Sequence, residues 1–310
     1  MGTPHFAVPS LHALLEAGHD VLAVVTQPDK PVGRKRVLTP PPLKVAAVQR
    51  GLTVLQPERA RDEAFLAQMR VLAPDLVAYA AYGKILPPSF LEIPKHGCIN
   101  VHASLLPKYR GAAPIQWAII NGETVTGVSI MRAEAGVDTG PVLLQREEPI
   151  RPDDTAGDLS ARLARLGAEM LVEAVELIES GRAVFIPQDE SLATYAPMLK
   201  PEDAVLDWNQ PAQSVRNRVR ALNPKPGAVA VIQGREVKVW RASVVDGDPS
   251  VEPGTVIAVC KAGPAVQACG GAVLLEEVQP AGGKRMSGAD LARGWRIHAG
   301  EKLAGGTAWA

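Results

Sequence analysis

The chain has 310 residues, 46% of them hydrophobic, and its 33 basic and 33 acidic side chains cancel to a formal net charge of zero. That length can bury a large core and more often holds two domains than one. No apolar run approaches the ~18 residues of a membrane span, and no charged lead with an apolar signal core opens the sequence.

Read along the chain, Val8, Leu11, Leu14 and Leu15 carry a helical period that Gly18 ends. Val21 to Val25 is a buried-strand run. Between Thr26 and Lys44 stand five basic residues (Lys30, Arg34, Lys35, Arg36, Lys44) and one acid, Asp29, among prolines at positions 28, 31 and 40 to 42. This segment is too Pro-rich for a helix or an inner strand and reads as a solvated surface loop. Phe65, Leu66, Met69 and Leu72 mark a second helix, and Leu76 to Ala80 a second buried strand. Then come a strand ending at His102, a helix opened by Pro114 and stopped by Gly122, and strands at Gly127 to Met131 and Val142 to Leu144. Thr155 and Asp158 have capping-box spacing at the head of a long helix whose apolar positions are Leu159, Leu163, Leu166 and Met170. Strands alternating with helices predict an α/β fold, a Rossmann-like, doubly wound and mostly parallel sheet over residues 1–186.

Past Ile186 the texture changes. Residues 187–203 read as a linker. From 204 to 310 short β-like runs (Val229 to Ile232, Val237 to Trp240, Thr255 to Val259, Val273 to Leu275) separated by Gly- and Pro-rich turns predict a small β-barrel or sandwich, with a disordered tail from Gly305 to Ala310. From Leu206 onward there are 13 basic residues against 9 acidic ones, leaving 20 against 24 before it, so the neutral total hides a mildly basic C-terminal part. Such an asymmetry is compatible with a nucleic-acid partner. The three cysteines, Cys98, Cys260 and Cys269, cannot all pair internally and lack metal-ligand spacing. A reducing cytoplasm is the expected setting, with no metal. No heptad seam argues for an oligomer, and a monomer is expected.

The stretch from Gly97 to Ile115 carries the chemistry. Alternation along a strand puts Asn100 and His102 on one face, roughly 7 Å apart, at the C-terminal end where open α/β sheets bind ligands. An amide donor beside a titratable imidazole suits acyl transfer, in which an oxyanion needs donors and a proton needs a carrier. Each residue alone is ordinary turn or core chemistry. After them come an apolar loop, Leu105-Leu-Pro107, then Tyr109-Arg-Gly111 and a helix start, which together form a ligand cradle.

Asn100-Val-His102, Ser104-Leu-Leu-Pro107, Arg110-Gly-Ala-Ala-Pro-Ile115 and Ala135-Gly-Val-Asp138-Thr-Gly-Pro141 resemble the hallmark of the folate-dependent formyltransferases. The resemblance implies Asn100, His102 and Asp138 as catalytic residues: Asn100 donating to the oxyanion, His102 as second donor and proton shuttle, Asp138 orienting His102. It places the folate donor, 10-formyltetrahydrofolate, along Ser104, Leu105, Leu106 and Pro107, with Tyr82 and Gly83 in the adjoining wall. The basic loop resembles the one by which methionyl-tRNA formyltransferases grip the acceptor end of initiator tRNA, which implies Lys30, Arg34, Lys35 and Arg36 as tRNA contacts. Gln188-Asp-Glu190, Thr194-Tyr-Ala196, Asp207-Trp208, Arg220-Ala-Leu-Asn-Pro224, Val237-Lys-Val-Trp240 and Pro253-Gly-Thr255 resemble the C-terminal part of that family, an OB-like barrel that helps bind tRNA. Arg216, Arg218 and Arg220 alternate with Val215 and Val219, so a helix with one basic face, touching tRNA through Arg216 and Arg220, is expected.

One departure from the pattern stands at the start. Chains of that family carry a short apolar strand before the Gly-Thr-Pro that is here Gly2-Thr3-Pro4. The first strand is therefore expected to be missing. It lies centrally in a doubly wound sheet, and its loss would leave neighbours unpaired and a trench exposed; a start site set too far downstream is the expected cause. Sugar-amine formyltransferases share Asn-x-His and the Ser-Leu-Leu-Pro loop but need no tRNA-gripping loop, a formyltetrahydrofolate hydrolase would use the same triad on water, and a tRNA-binding protein with a dead site is the reading from another class.

Overall fold

The computed structural model describes residues 1–33 and 36–303; Arg34, Lys35 and the expected tail from Gly305 lie outside the described residues. The chain divides into two compact units, the first comprising Met1–Pro114, Val125–Pro149 and Ser160–Pro197, the second Ile115–Thr124, Ile150–Leu159 and Met198–Ala310. Among the described residues no helix is long and apolar enough to cross a membrane.

The strands of the first unit are β1 (Val24–Val25), β2 (Lys30–Val32), β3 (Val37–Thr39), β4 (Val54–Leu55), β5 (Val77–Tyr79), β6 (Cys98–His102), β7 (Val125–Arg132) and β8 (Val142–Pro149). Along the chain they alternate with helices α1 (Val8–Glu16), α2 (Pro42–Gln49), α3 (Glu63–Leu72), α4 (Pro88–Leu91), α5 (Pro114–Ile120) and α6 (Ala156–Glu179). The helix signals act as expected. Pro114 opens α5, and Gly122 stands just past its end at φ 76°. At α6, Thr155 N–H donates to Asp158 Oδ2 (3.0 Å) and Asp158 N–H to Thr155 Oγ1 (3.2 Å), a reciprocal capping box.

The sheet is less parallel than the alternation predicts. β1 pairs with β4, and β5 with β6, in parallel; β6–β7 and β7–β8 are antiparallel. Residues 133–141 between β7 and β8 are too few for the crossover of a dozen or more residues that a parallel pair needs. The basic loop also gains structure, because β2 and β3 form an exposed antiparallel hairpin around its tip.

Both strands expected at Val21 to Val25 and Leu76 to Ala80 are cut short, and the reason is visible between them. The sheet is split into a β1–β4 pair and the β5-β6-β7-β8 sheet. Met1 and Gly2 bridge the gap at one end. Gly2 N–H donates to the Val25 carbonyl and Ala80 N–H to the Met1 carbonyl, both at 3.0 Å, while the Met1 amine donates to the Ala78 carbonyl at 2.6 Å. Beyond them lies a 640 Å³ cavity lined by Leu11, Val24, Met69, Val77, Leu171 and Val175 among others. A strand edge without a neighbour has no ladder to hold its outer half, so Leu22 is left 41% exposed.

In the second unit, helix α7 (Ala212–Ala221) precedes β9 (Ala228–Ile232), β10 (Arg235–Val245), β11 (Val256–Val259), β12 (Pro264–Ala268), β13 (Gly271–Pro280) and β14 (Met286–Ser287), and helix α8 (Gly288–Trp295) comes last. All strand pairings are antiparallel, in the order β11-β12-β13-β10-β9 with β14 on β13. The β-rich texture is as expected; the closed barrel is not. Among the described residues β9 and β11 do not pair. Their outer edges take single bridges from extended chain instead, Val205 to Val229 and Lys302 to Thr255, so the sheet stays open. Its core holds Leu206, Trp208, Val215, Val219, Val239 and Leu275. Of the stretch 187–203, residues to Pro197 belong to the first unit and those from Met198 to the second.

Candidate active site

β6 is buried at every position, and its neighbours β5 and β7 pin its register: Tyr79 lies opposite Asn100, and Ser129 opposite His102. Asn100 and His102 are 6% and 5% exposed and do point the same way, because both reach one carboxylate. Asp138 comes from the loop between β7 and β8 and holds a left-handed conformation at φ 53°. Asn100 Nδ2 donates to Asp138 Oδ1 at 3.3 Å, and His102 Nδ1 lies 3.5 Å from Asp138 Oδ2. The Gly111 N–H donates to the same Oδ2 at 2.9 Å.

The other edge of the imidazole also meets an acceptor. His102 Nε2 is 3.0 Å from the Tyr109 carbonyl oxygen. A carbonyl only accepts, so Nε2 carries a hydrogen there, while Nδ1 faces the Asp138 carboxylate. Asn100 has two N–H groups, and Asp138 uses one; the second is the donor an incoming oxygen would meet. Gly111 is required here twice over. Its φ is +124°, and a Cβ would stand 2.6 Å from the Ala196 carbonyl oxygen.

The apolar loop after β6 is braced from behind. Ser129 Oγ accepts from the Leu106 N–H at 3.0 Å and donates to the Ser104 carbonyl at 2.6 Å. Gln145 Nε2 donates to the Leu106 carbonyl at 2.6 Å, and Ser104 Oγ to the Lys108 carbonyl at 2.6 Å. Leu105 and Pro107 are half-buried, Leu106 and Ser104 buried. Tyr82, expected in the adjoining wall, sits in the core cluster with Phe65 and Phe90, its hydroxyl without a hydrogen-bond partner among the described residues, and burial pushes its pKa up to about 12. Gly83, at φ 75°, makes room for the Gln27 amide, which donates to the Tyr82 carbonyl at 2.8 Å. Cys98 opens β6, but burial lifts its thiol to about 12, which removes it as a nucleophile at neutral pH.

The basic residues divide. Lys30 and Arg36 are exposed on the β2–β3 hairpin, Lys30 Nζ donating to Gln27 Oε1 at 2.6 Å. Lys44 is tied to Asp29 at 2.8 Å. In the second unit α7 has no exposed basic face. Arg216 binds Asp153 Oδ1 (2.5 Å) and the Pro152 carbonyl (3.1 Å), and Arg220 binds Asn217 Oδ1 (3.0 Å) and the carbonyls of Asp154 (3.3 Å) and Arg151 (3.4 Å). Most of these partners lie some sixty residues away in sequence, so alternation within the helix could not reveal them. Ser129 and Gln145 were missed for a similar reason: inside buried β7 and half-exposed β8 they read as ordinary strand residues.

Residues 1–175 match the formyl transferase family, and residues 198–296 the formyl transferase C-terminal domain. Over 303 residues the chain is 48% identical to a methionyl-tRNA formyltransferase of Geobacter metallireducens, covering 98% of this chain and 97% of that one. Over 295 residues it is 49% identical to a methionyl-tRNA formyltransferase of Pelotomaculum thermopropionicum, covering 95% and 94%. Among solved structures, the N-formyltransferase of Helicobacter canadensis, in complex with folinic acid and dTDP-3-aminofucose, superimposes with a TM-score of 0.66 at 19% identity, over 89% of this chain and 97% of that one. HypX of Aquifex aeolicus, in complex with tetrahydrofolic acid, gives 0.60 at 22% identity, over 82% of this chain but 45% of that one. The structural likenesses speak for the fold alone. Near-half identity running the length of both chains, on two matched domains, decides the rest: the chain belongs to the methionyl-tRNA formyltransferase family.

Proposed function

We propose that this enzyme moves the formyl group of 10-formyltetrahydrofolate onto the α-amine of methionine esterified to initiator tRNA, with Asn100, His102 and Asp138 as its catalytic residues. The observation that carries the reading is the single Asp138 carboxylate gathering Asn100, His102 and Gly111. A free α-amine titrates at about 8 and an esterified one lower, so much of it is neutral at pH 7 and little base strength is needed. The harder task is stabilising the oxygen that turns negative as the amine nitrogen bonds to the formyl carbon. Asn100 Nδ2 donates to that oxygen. His102 accepts the amine proton at Nδ1, where Asp138 faces the imidazolium, and returns it to the folate nitrogen as the carbon–nitrogen bond breaks. Formylmethionyl-tRNA and tetrahydrofolate leave.

The Ser104–Pro107 loop supports the folate assignment, because it offers apolar side chains and backbone groups on a brace that Ser129 and Gln145 hold still. Lys30, Arg34, Lys35 and Arg36 are assigned to the phosphates of the acceptor end. Arg216 and Arg220 add positive potential in this reading, since the hydrogen bonds described for them are taken up within the second unit. Formyl transfer from 10-formyltetrahydrofolate to charged initiator tRNA, run beside an amino-sugar nucleotide and a water blank, tests the proposal. Formate release alone would refute it in favour of hydrolysis, and formylation of the sugar amine alone would refute it in favour of a different acceptor.

A further inference from the structure

Arg110 is a charged side chain with no solvent exposure and no role in the chemistry proposed for the triad. Its guanidinium is fully engaged on one side. Nε and Nη2 donate to Gln188 Oε1 at 3.0 and 2.8 Å, while Nη1 and Nη2 make a two-pronged contact with the Glu190 carboxylate, both at 2.8 Å. A planar fork matched to a carboxylate is the geometry in which Arg cannot be replaced by Lys.

Gln188 carries the contact onward. Its Nε2 donates to two carbonyl oxygens, those of Asp138 at 2.8 Å and Gly140 at 2.7 Å. The amide has only one consistent orientation. Arginine offers donors alone and carbonyls accept alone, so Oε1 must face Arg110 and Nε2 must face the Asp138 loop. Asp138 needs such a hold, because a non-glycine residue at φ 53° is strained and persists only where its surroundings impose it. Backbone contacts lock the same two segments together: Arg110 N–H donates to the Thr194 carbonyl (2.9 Å), Ala196 N–H to the Arg110 carbonyl (2.7 Å), and Tyr109 N–H to Thr194 Oγ1 (2.9 Å). Tyr109 in turn supplies the carbonyl that binds His102 Nε2. Both ends of the His102–Asp138 pair thus hang from the 188–196 segment.

We propose that Arg110 and Gln188 are positioning residues for the transfer reaction: Arg110 orients the Gln188 amide, which holds the Asp138 backbone in the conformation that aims its carboxylate at His102 and Asn100. The inference rests on the catalytic role proposed for Asp138. A Gln188→Leu chain keeps the bulk of the side chain and loses both donors. It should turn over at least tenfold more slowly, with KM for folate and for tRNA within threefold of the parent. The decisive comparison is a double-mutant cycle with Asp138→Asn. An effect transmitted through Asp138 has nothing left to act on in that background, so Gln188→Leu should add less than a twofold loss there; a general structural defect would subtract the same factor in both.

Glu190→Gln is the second variant, because Glu190 is 68% exposed and its loss leaves no buried cavity. It weakens the grip on Arg110 and should slow turnover two- to fivefold in the parent and not at all in Asp138→Asn. Parental turnover in both single variants, or equal losses in both backgrounds, overturns the positioning role. Parental turnover of Asp138→Asn itself would instead overturn the catalytic reading on which it stands.

Discussion

The Met1 amine offers a direct physical test of the trench. It is enclosed against β5, and desolvation takes its pKa from 8.0 down to about 5. A buried amine of this kind is neutral in the folded chain and protonated on unfolding between those two values. The unfolded state therefore binds more protons there, and stability falls as the pH drops from 8 towards 5 and levels off below it. The cost is about 1.4 kcal/mol at pH 7 and about 4 kcal/mol at pH 5. Fusing about five β-branched residues ahead of Met1 replaces the amine by a peptide N–H, which can still donate to the Ala78 carbonyl but has nothing to titrate. At ~3.3 Å per residue the added segment would run along the cavity between β1 and β5.

The assay is urea unfolding of parent and extended chains at pH 8, 7 and 5, with the m-value shared so that midpoints report stability. The extended chain should gain about 1.4 kcal/mol at pH 7 and about 4 kcal/mol at pH 5 from the amine alone. Each aliphatic side chain that fully enters the trench adds ~1.5–3 kcal/mol, offset by ~1–2 kcal/mol per residue for ordering the backbone. An extension of alternating Lys and Gly separates the two contributions, because it abolishes the titration and cannot fill apolar space. Identical midpoint losses from pH 8 to pH 5 in parent and extended chains would refute the reasoning. Function is coupled to the result through the ladder, since Val77 to Tyr79 pair with Cys98 to Asn100, so bracing β5 should also lengthen the half-life of activity.

Asn100→Ala removes a donor to the oxyanion and should lower turnover about 100–1000-fold; near-normal turnover sinks its role. Gly111→Ala puts a Cβ 2.6 Å from the Ala196 carbonyl at a φ of +124°, so it should cost about 1–3 kcal/mol of stability and slow turnover, and an unfolding midpoint equal to the parent's argues against the strain. Ser129→Ala leaves the Leu106 N–H unpaired and should raise KM for the folate donor several-fold, at about 1–3 kcal/mol of loop stability; an unchanged KM detaches the loop from folate. Lys30→Ala should raise KM for tRNA and reduce the slope of log KM against log salt by about 0.7, the value for one single-strand phosphate. An unaltered slope means that Lys30 touches no phosphate.

The range of the forces involved decides which features the sequence revealed and which it hid. Helix ends were legible because caps are local: Thr155 and Asp158 are three residues apart, and Pro114 and Gly122 act on their own backbone. Asn100 and His102 were legible as a same-face pair because a strand's period of two is fixed by covalent geometry. Sheet direction was not, since strand runs look alike in either sense and only the short 133–141 connection marks β7 and β8 as antiparallel. Nor was the openness of the second sheet, where the edge partners Val205 and Lys302 carry no strand signal of their own.

The hardest feature to read was the support of the site. Arg110 meets Gln188 across 78 positions, and Gln188 meets Asp138 across 50. No period or cap relates residues at such separations. The resemblance singled out both the Arg110 and the Gln188 segments, yet gave Gln188 no task, because a motif records which residues recur and not what they touch. A buried guanidinium makes the difference, since a charge without solvent must have its partners inside, and tracing those partners leads to the carboxylate assigned to catalysis. The groups assigned to catalysis could be named from strand periodicity and motif; the groups that hold them in place became visible only once each buried donor was traced to its acceptor.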